Sequence, residues 1–351
     1  MTMRTIEWVP ETSQVRMIDQ RKLPAALEFV YCSTAREMAD AIRDMTIRGA
    51  PALGVAGAFG LALEAARPAG DDLRRQLHNT AELLKSARPT AVNLAWGVER
   101  ILKLVDDPEI STADLAGRIL AEALELAEED VRTNLALAQH GASLIEDGDT
   151  ILHHCNTGAL AVVDWGTALG AIRYAHEQGK HIHVLVDETR PRLQGSRLTA
   201  WELEQYSIPY HIITDNAAGY YLRSGKVQKV FFGADRVAAN GDVVNKIGTY
   251  MLSLAAHANR VPVICVFPLS TLDLTESNGD NILIEERLQE EVLGITYQGQ
   301  AVTPAAAQAL NPAFDITPHE LISAWVTERG IIYPPFDRNL AQVGYNTRLD
   351  R

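Results

Sequence analysis

A chain of 351 residues with 47% hydrophobic and 22% charged side chains buries the core of one large or two ordinary domains, which excludes a disordered or fibrous class. Its formal net charge of -13 opposes a nonspecific grip on nucleic acid or anionic lipid, while leaving room for a local basic pocket. Cys32, Cys155 and Cys265 are few and widely spaced and read as free thiols; with no apolar signal core at the start and no membrane-length apolar run, the expected address is the cytoplasm.

Between Ile6 and Tyr31, short apolar runs broken by polar pairs and Pro24 predict a small sheet. Apolar residues spaced three and four apart then predict helices over 34–44, 50–65, 73–86, 91–105 and 112–145, with alanine-rich faces suited to close packing. At the turn Asp147-Gly148-Asp149 the texture changes. Strands are expected at 150–154, 181–187, 210–214, 230–232 and 263–267, alternating with helices over 157–178, 199–206, 216–224 and 246–259. Such alternation predicts parallel pairing through right-handed crossovers, an α/β doubly wound sheet. Further on, Thr317-Pro318-His319-Glu320 reads as a capping box with proline at the first helical position, predicting a helix to Glu328. The expected domains are a mainly helical 1–145, with its short β segment, and an α/β 146–351.

Ligands of open parallel sheets bind beyond the carboxyl ends of the strands, so the residues just after each predicted strand are the ones to inspect. They are His154-Cys155-Asn156-Thr157-Gly158, Asp187-Glu188-Thr189-Arg190, Asp215-Asn216 and Gly233-Ala234-Asp235-Arg236. Cys155 stands ahead of a predicted helix, whose N-terminus would favour a thiolate and an anion; a cysteine chosen at random is more often a small buried apolar residue, as Cys32 and Cys265 are read to be. Asp235 follows the apolar run 230–234, where desolvation would keep it protonated for general-acid work; capping a loop or pairing with Arg236 is the equally weighted alternative. Three basic features are candidates for a phosphate: Arg48-Gly49-Ala50-Pro51 ahead of a helix, the loop arginines Arg190, Arg192 and Arg197 beside Gln194, and Asn245-Lys246 at another predicted helix start. The scattered histidines call for no metal, and neither GxxxxGK[ST] nor GxGxxG follows a strand. The residues themselves lead to an α/β enzyme with a thiol, a carboxyl group and an anion site.

Together, Thr46–Gly54, Pro89–Trp96, His154–Leu160, Gly166–Gly170, Glu188–Glu202, Gly233–Arg236 and Asn245–Thr249 resemble the methylthioribose-1-phosphate isomerase family. That family is related to the alpha-type subunits of the guanine nucleotide exchange factor for translation initiation factor two. The resemblance covers nearly the whole chain and is specific as a set. It implies a helical N-terminal domain joined to a Rossmann-like parallel-sheet domain, a homodimer, a small-molecule sugar phosphate substrate and no cofactor or metal. It also implies that Cys155 and Asp235 are the catalytic pair and that Arg48, Gly49, Ala50, Arg88, Gln194, Asn245 and Lys246 contact substrate. His153, where a threonine is expected, and Val163-Asp164-Trp165 depart from the pattern beside the catalytic loop. In the implied mechanism Asp235 protonates the ring oxygen, while Cys155 either removes the C2 proton or assists a hydride shift. A noncatalytic subunit of the same fold is the rival from another class. Isomerases of 5-deoxyribose 1-phosphate or ribose 1,5-bisphosphate are the rivals nearest in chemistry.

Overall fold

The computed structural model describes residues 4–67, 72–89 and 91–340, so that Thr90 of the Pro89–Trp96 motif and the 341–351 end of the expected second domain lie outside the described residues. Packing divides the chain into two units, Met1–Leu135 with Thr157–Gly166, and Ala136–Asn156 with Thr167–Arg351. Where the sequence suggests a boundary at 145, the division falls inside a helix, and the segment after Asn156 belongs with the first unit.

The first unit opens with an antiparallel sheet of β1 (Ile6–Val9), β2 (Gln14–Ile18) and β3 (Phe29–Cys32). Helices α1 (Ala35–Arg43), α2 (Ala50–Ala65), α3 (Leu73–Ala87) and α4 (Val92–Asp106) follow, then α5 (Thr112–Ala142) as far as Leu135. A capping box of Thr34 and Glu37 starts α1. With apolar residues on all sides, α2 is the buried centre and packs against α1, α3 and α4. It meets α4 backbone to backbone: a Cβ on Gly97 would lie 2.2 Å from the Gly54 carbonyl oxygen. Among the described residues no helix is long and apolar enough to cross a membrane.

In the second unit, β4 (Thr150–His153), β5 (His183–Asp187), β6 (Tyr210–Ile213) and β7 (Lys229–Phe232) belong to the main sheet. So does β10 (Val263–Val266), reached after β8 (Arg236–Ala238) and β9 (Val243–Lys246). Helices α6 (Ala168–Glu177), α7 (Ala200–Gln205), α8 (Ala218–Arg223) and α9 (Thr249–Ala258) lie between strands in the chain. Later come β11 (Leu272–Asp273), a hairpin of β12 (Thr296–Tyr297) and β13 (Gln300–Ala301), β14 (Phe314–Thr317), β15 (Ala324–Thr327) and β16 (Gly330–Ile332). The main sheet runs β16-β15-β10-β7-β4-β5-β6, parallel except for β16, and a second sheet runs β11-β8-β9-β14. From β4 the chain winds outward through β5 and β6, then returns to β7 on the other side and continues through β10 to β15. The order therefore reverses between β4 and β7, where the connections leave in opposite directions and a crevice opens at the carboxyl ends.

Three expected helices differ. Over 157–178 only Ala168–Glu177 is α-helical, because Trp165 and Gly166 take positive φ and Gly166 seats against the Gly158 backbone, where a Cβ would come within 2.4 Å. The helix expected from 246 begins at Thr249, since Val243–Lys246 is fully buried and pairs with both β8 and β14. Thr317–Glu328 is strand, single turn and strand: Ala324, Trp325 and Val326 are buried in the main sheet, and tertiary pairing overrides the local capping pattern.

His153 ends β4 with no exposed surface, and its Nδ1–H donates to the Phe231 carbonyl at 2.9 Å. Burial, with the neighbouring His154 adding to it, pushes its pKa down to about 3 and keeps the imidazole neutral, although the Phe231 bond opposes the shift.

Two outcomes follow from this packing. Gly97→Ala forces apart two helix backbones and should cost about 1–3 kcal/mol in urea unfolding; an unchanged midpoint would contradict the close approach. For His153 the folded pKa lies below the unfolded 6.5, so stability present above pH 6.5 is lost as pH falls toward about 3. His153→Asn keeps a donor for the Phe231 carbonyl and does not titrate, so it should gain on the natural protein by up to about 1.4 kcal/mol per pH unit in that window. Unfolding curves whose offset is the same at about pH 7 and about pH 4 would rule out the buried imidazole as the cause.

Candidate active site

The β4 and β7 strands pair in parallel, Leu152 with Val230 and His153 with Phe231, so their ends lie side by side about 4.8 Å apart in the sheet. Two residues past β4 comes Cys155, and three past β7 comes Asp235.

Cys155 is buried, 8% exposed, and its φ of 66° is left-handed, a region that costs a residue with a Cβ. Its N–H donates to the Thr189 hydroxyl at 2.9 Å, and its carbonyl accepts from the Thr199 hydroxyl at 2.7 Å. Next to it, the buried Asn156 amide donates to the Thr199 hydroxyl at 3.1 Å and to the Glu202 carboxylate at 2.8 Å. No helix N-terminus supports the thiol as the sequence suggests: the residues after it form a loop with one short turn at Ala159–Ala161. What holds Cys155 is a pair of buried hydroxyl groups, Thr189 in the loop after β5 and Thr199 in the turn that leads into α7.

His154 turns its Nδ1 to Asp187 at 2.9 Å and its Nε2 to the Ile247 carbonyl at 3.0 Å. A carbonyl only accepts, so Nε2 carries hydrogen, and a further proton lies between Nδ1 and the carboxylate. Burial pushes His154 down, but the bond and charge of Asp187, with Asp215 and the Ile247 carbonyl, outweigh it and raise its pKa. Burial raises Asp187 to about 6 against the pull of His154. The pair therefore holds its shared proton above the ordinary carboxylate range. Gly248, at a φ of 103°, leaves room for the ring: a Cβ there would meet the imidazole Cε1 at 2.9 Å. His154, Asp187 and Asp215 have the spacing of a metal site, yet both His154 nitrogens are engaged and Asp215 accepts the N–H groups of Thr189 and Arg190 at 2.7 Å each.

Asp235 is half-buried next to a strand whose Phe231 and Phe232 are fully buried, and its N–H donates to the Val244 carbonyl at 2.9 Å. It is thus wetter than the apolar run before it suggests. The alternative partner, Arg236, pairs instead with Asp273 at 3.7 Å. Gln194, 4% exposed, has its Oε1 buried with no hydrogen-bond partner among the described residues. Just after it, Gly195 lies so close that a Cβ would come 1.7 Å from the Asp187 carbonyl oxygen.

Asn245 and Lys246 are buried at the end of β9. The Asn245 amide donates to the Thr249 hydroxyl at 3.0 Å, and the Lys246 ammonium lies 5.0 Å from the Phe314 ring centroid. The start of α9 is not open to an external anion: Asp315 accepts from the Gly248 and Tyr250 N–H groups at 2.7 and 3.1 Å. Burial raises Asp315 to about 6 although these bonds and the charges of His154 and Lys246 oppose it. The loop arginines are engaged as well. Arg192 pairs with Glu291 at 2.7 Å, Arg190 donates to the Val292 carbonyl at 3.1 Å, and burial, with Arg192 nearby, holds Arg197 below its ordinary range. Two of the three expected phosphate features thus change character, the loop arginines tying strand ends to the segment near 291.

The remaining expected residues lie in the first unit. Arg48, 9% exposed, precedes Gly49, whose φ of 98° and seat on Ala161, 2.2 Å from a built Cβ to the carbonyl oxygen, admit only glycine. Ala50 is the first residue of α2, and Arg88 is half-buried at the end of α3. Cys155, Asp235, Gln194, Asn245 and Lys246 all belong to the second unit. Roles for His154, Thr189, Thr199 and Glu202 are not legible in the sequence, although all four lie in the motifs His154–Leu160 and Glu188–Glu202 and the first two stand at predicted strand ends.

A sequence model of the Initiation factor 2 subunit family matches residues 46–334. A methylthioribose-1-phosphate isomerase of Synechococcus sp. is 51% identical over 95% of this chain and 96% of its own. The crystal structure of 5-methylthioribose 1-phosphate isomerase from Pyrococcus horikoshii superposes with a TM-score of 0.89 at 42% identity, covering 97% of this chain and 95% of that one. One titled translation initiation factor eIF-2B, subunit delta, from A. fulgidus gives 0.86 at 44% identity, covering 97% and 99%. Matched by the family model over most of its length and by relatives at up to about half identity over nearly all of it, the chain belongs to the initiation factor 2 subunit family, among its methylthioribose-1-phosphate isomerases.

Proposed function

We propose that the chain converts 5-methylthioribose 1-phosphate to 5-methylthioribulose 1-phosphate, an aldose–ketose isomerisation of methionine salvage, with Cys155 and Asp235 as the reacting groups. The observation that carries the reading is the position of these two residues at the carboxyl ends of β4 and β7, the pair of strands where the sheet order reverses. The named activity of the relatives supports the same reaction.

The phosphate on C1 locks the substrate as a cyclic acetal derivative, so the ring opens only with acid help. Asp235 gives its proton to the ring oxygen, and the C1–O bond breaks with its electrons going to that oxygen. The hydrogen on C2 then moves to C1, the step that Cys155 attends. The C2 hydroxyl surrenders its proton to the site and becomes the ketone, leaving the phosphate ester intact and no net oxidation. Arg48, Gly49, Ala50, Arg88, Gln194, Asn245 and Lys246 bind the substrate. The buried, unsatisfied Oε1 of Gln194 supports a role in accepting a sugar hydroxyl, and the buried cation of Lys246 supports one in meeting negative charge. We further propose a cytoplasmic homodimer that uses neither nucleic acid nor membrane.

Purified protein with methylthioribose 1-phosphate, and no added nucleotide, should release the ketose. The 5-deoxy and 5-phospho analogues define its preference at the 5-position. Cys155→Ala and Asp235→Asn should each lose about 10²–10⁴-fold in kcat while binding substrate nearly as well. Turnover by either variant near that of the natural protein would remove that residue from the reaction, and equal loss of binding and turnover would make its role structural.

A further inference from the structure

We propose that Thr189 is a positioning residue for the isomerisation, its hydroxyl holding the backbone of Cys155 in the conformation that aims the thiol. The inference rests on the reading of Cys155 as a reacting group and adds the machinery that orients it.

Thr189 is fully buried and has a φ of 63°. A β-branched residue in the left-handed region is a genuine outlier, costing on the order of 1–3 kcal/mol, and persists only where its surroundings over-determine it. Here they do. Asp215, after β6, accepts the N–H of Thr189 at 2.7 Å and with its other oxygen that of Arg190 at 2.7 Å. The Thr189 hydroxyl donates to the Asp187 carbonyl at 2.9 Å, which leaves its lone pairs for the Cys155 N–H at 2.9 Å. Gly195 leaves the space: a Cβ on it would lie 2.9 Å from this hydroxyl. The result is a relay across three neighbouring parallel strands, from Asp215 after β6 through Thr189 after β5 to Cys155 after β4. From the other side the Thr199 hydroxyl donates to the Cys155 carbonyl.

A residue in the left-handed region relaxes unless the peptide units on both sides of it are held. The donor and acceptor of Cys155 are each met by a threonine hydroxyl, one accepting and one donating, and a valine offers neither. Without the Thr189 hydroxyl the Cys155 N–H loses this buried acceptor, and relief comes from rotating the peptide between residues 154 and 155, which swings the thiol. A misplacement of about 1 Å costs on the order of 10²-fold in rate.

The test compares Thr189→Val with Thr189→Ser in steady-state kinetics, alongside Cys155→Ala. Thr189→Val should lower kcat by about 10- to 100-fold with KM within about twofold, and Thr189→Ser, which keeps the hydroxyl, should restore most of the rate. Wild-type turnover by Thr189→Val, or equal losses in the valine and serine variants, would overturn the positioning role. Should Thr189→Val fail to fold by circular dichroism, Thr199→Val and Thr199→Ser test the opposite hydroxyl of the same clamp under the same criteria. Inactive Cys155→Ala with undiminished Thr189→Val sinks this inference alone, whereas active Cys155→Ala sinks the reading of the thiol beneath it.

Discussion

The reversal of strand order between β4 and β7 is the constraint on which the rest of the second unit depends. From β4 the chain leaves toward β5 and from β7 toward β10, so the connections after these two neighbours diverge. Where neighbouring connections diverge, chain that has just left a strand turns polar groups inward. The two strands end in His153 and Phe232, both fully buried, so backbone arriving at the crevice comes from a dry, rigid interior and its first free side chains are held accurately. A thiol two residues beyond one strand and a carboxyl group three beyond the other inherit that accuracy.

The adjacent histidines His153 and His154 show how position alone sets chemistry in this region. Alternation along the strand sends them to opposite faces. His153 donates to the Phe231 carbonyl and is fully buried and neutral, its pKa pushed down to about 3; His154 meets a carboxylate and a carbonyl and is raised. The second of these is structural as well as electrostatic, because its ring joins the end of β4 to Asp187 at the end of β5 and to Ile247 just before α9. Three strand ends that each carry a proposed site residue or its support, Cys155, Thr189 and Lys246, are thereby fixed to one imidazole.

Much of this was legible in the sequence where a local pattern and its tertiary use agree. The helix α2 reads from its spacing, and the helix falls at the expected 50–65; the strand ends that gather Cys155, Asp187, Asp215 and Asp235 read from the alternation of strand and helix. Legibility stopped where a distant partner decides the outcome. Asn245-Lys246 looks like the start of a helix until β8 and β14 flank the strand that it ends, and Ala324–Thr327 looks like helix interior until β10 takes it as a neighbour. The start of α9 looked open to phosphate because nothing nearby in sequence fills it; Asp315, which does, is more than sixty residues away. The conformation of Cys155 was equally hidden, since both groups that hold its peptide come from the far side of β5.

Fold likeness by itself does not separate an isomerase from a binding subunit here: solved structures titled one and the other superpose almost equally well, with TM-scores of 0.89 and 0.86. The distinction lies in what the crevice is made to hold. A surface that only docks a partner gains nothing from a buried thiol, from two strained left-handed residues at its rim, or from an unsatisfied amide oxygen kept out of water, each of which costs folding stability. Such costs are retained where charge and geometry must be ready before the substrate arrives. On physical grounds the strain at Cys155 and Thr189 therefore weighs more heavily toward catalysis than the overall superposition does.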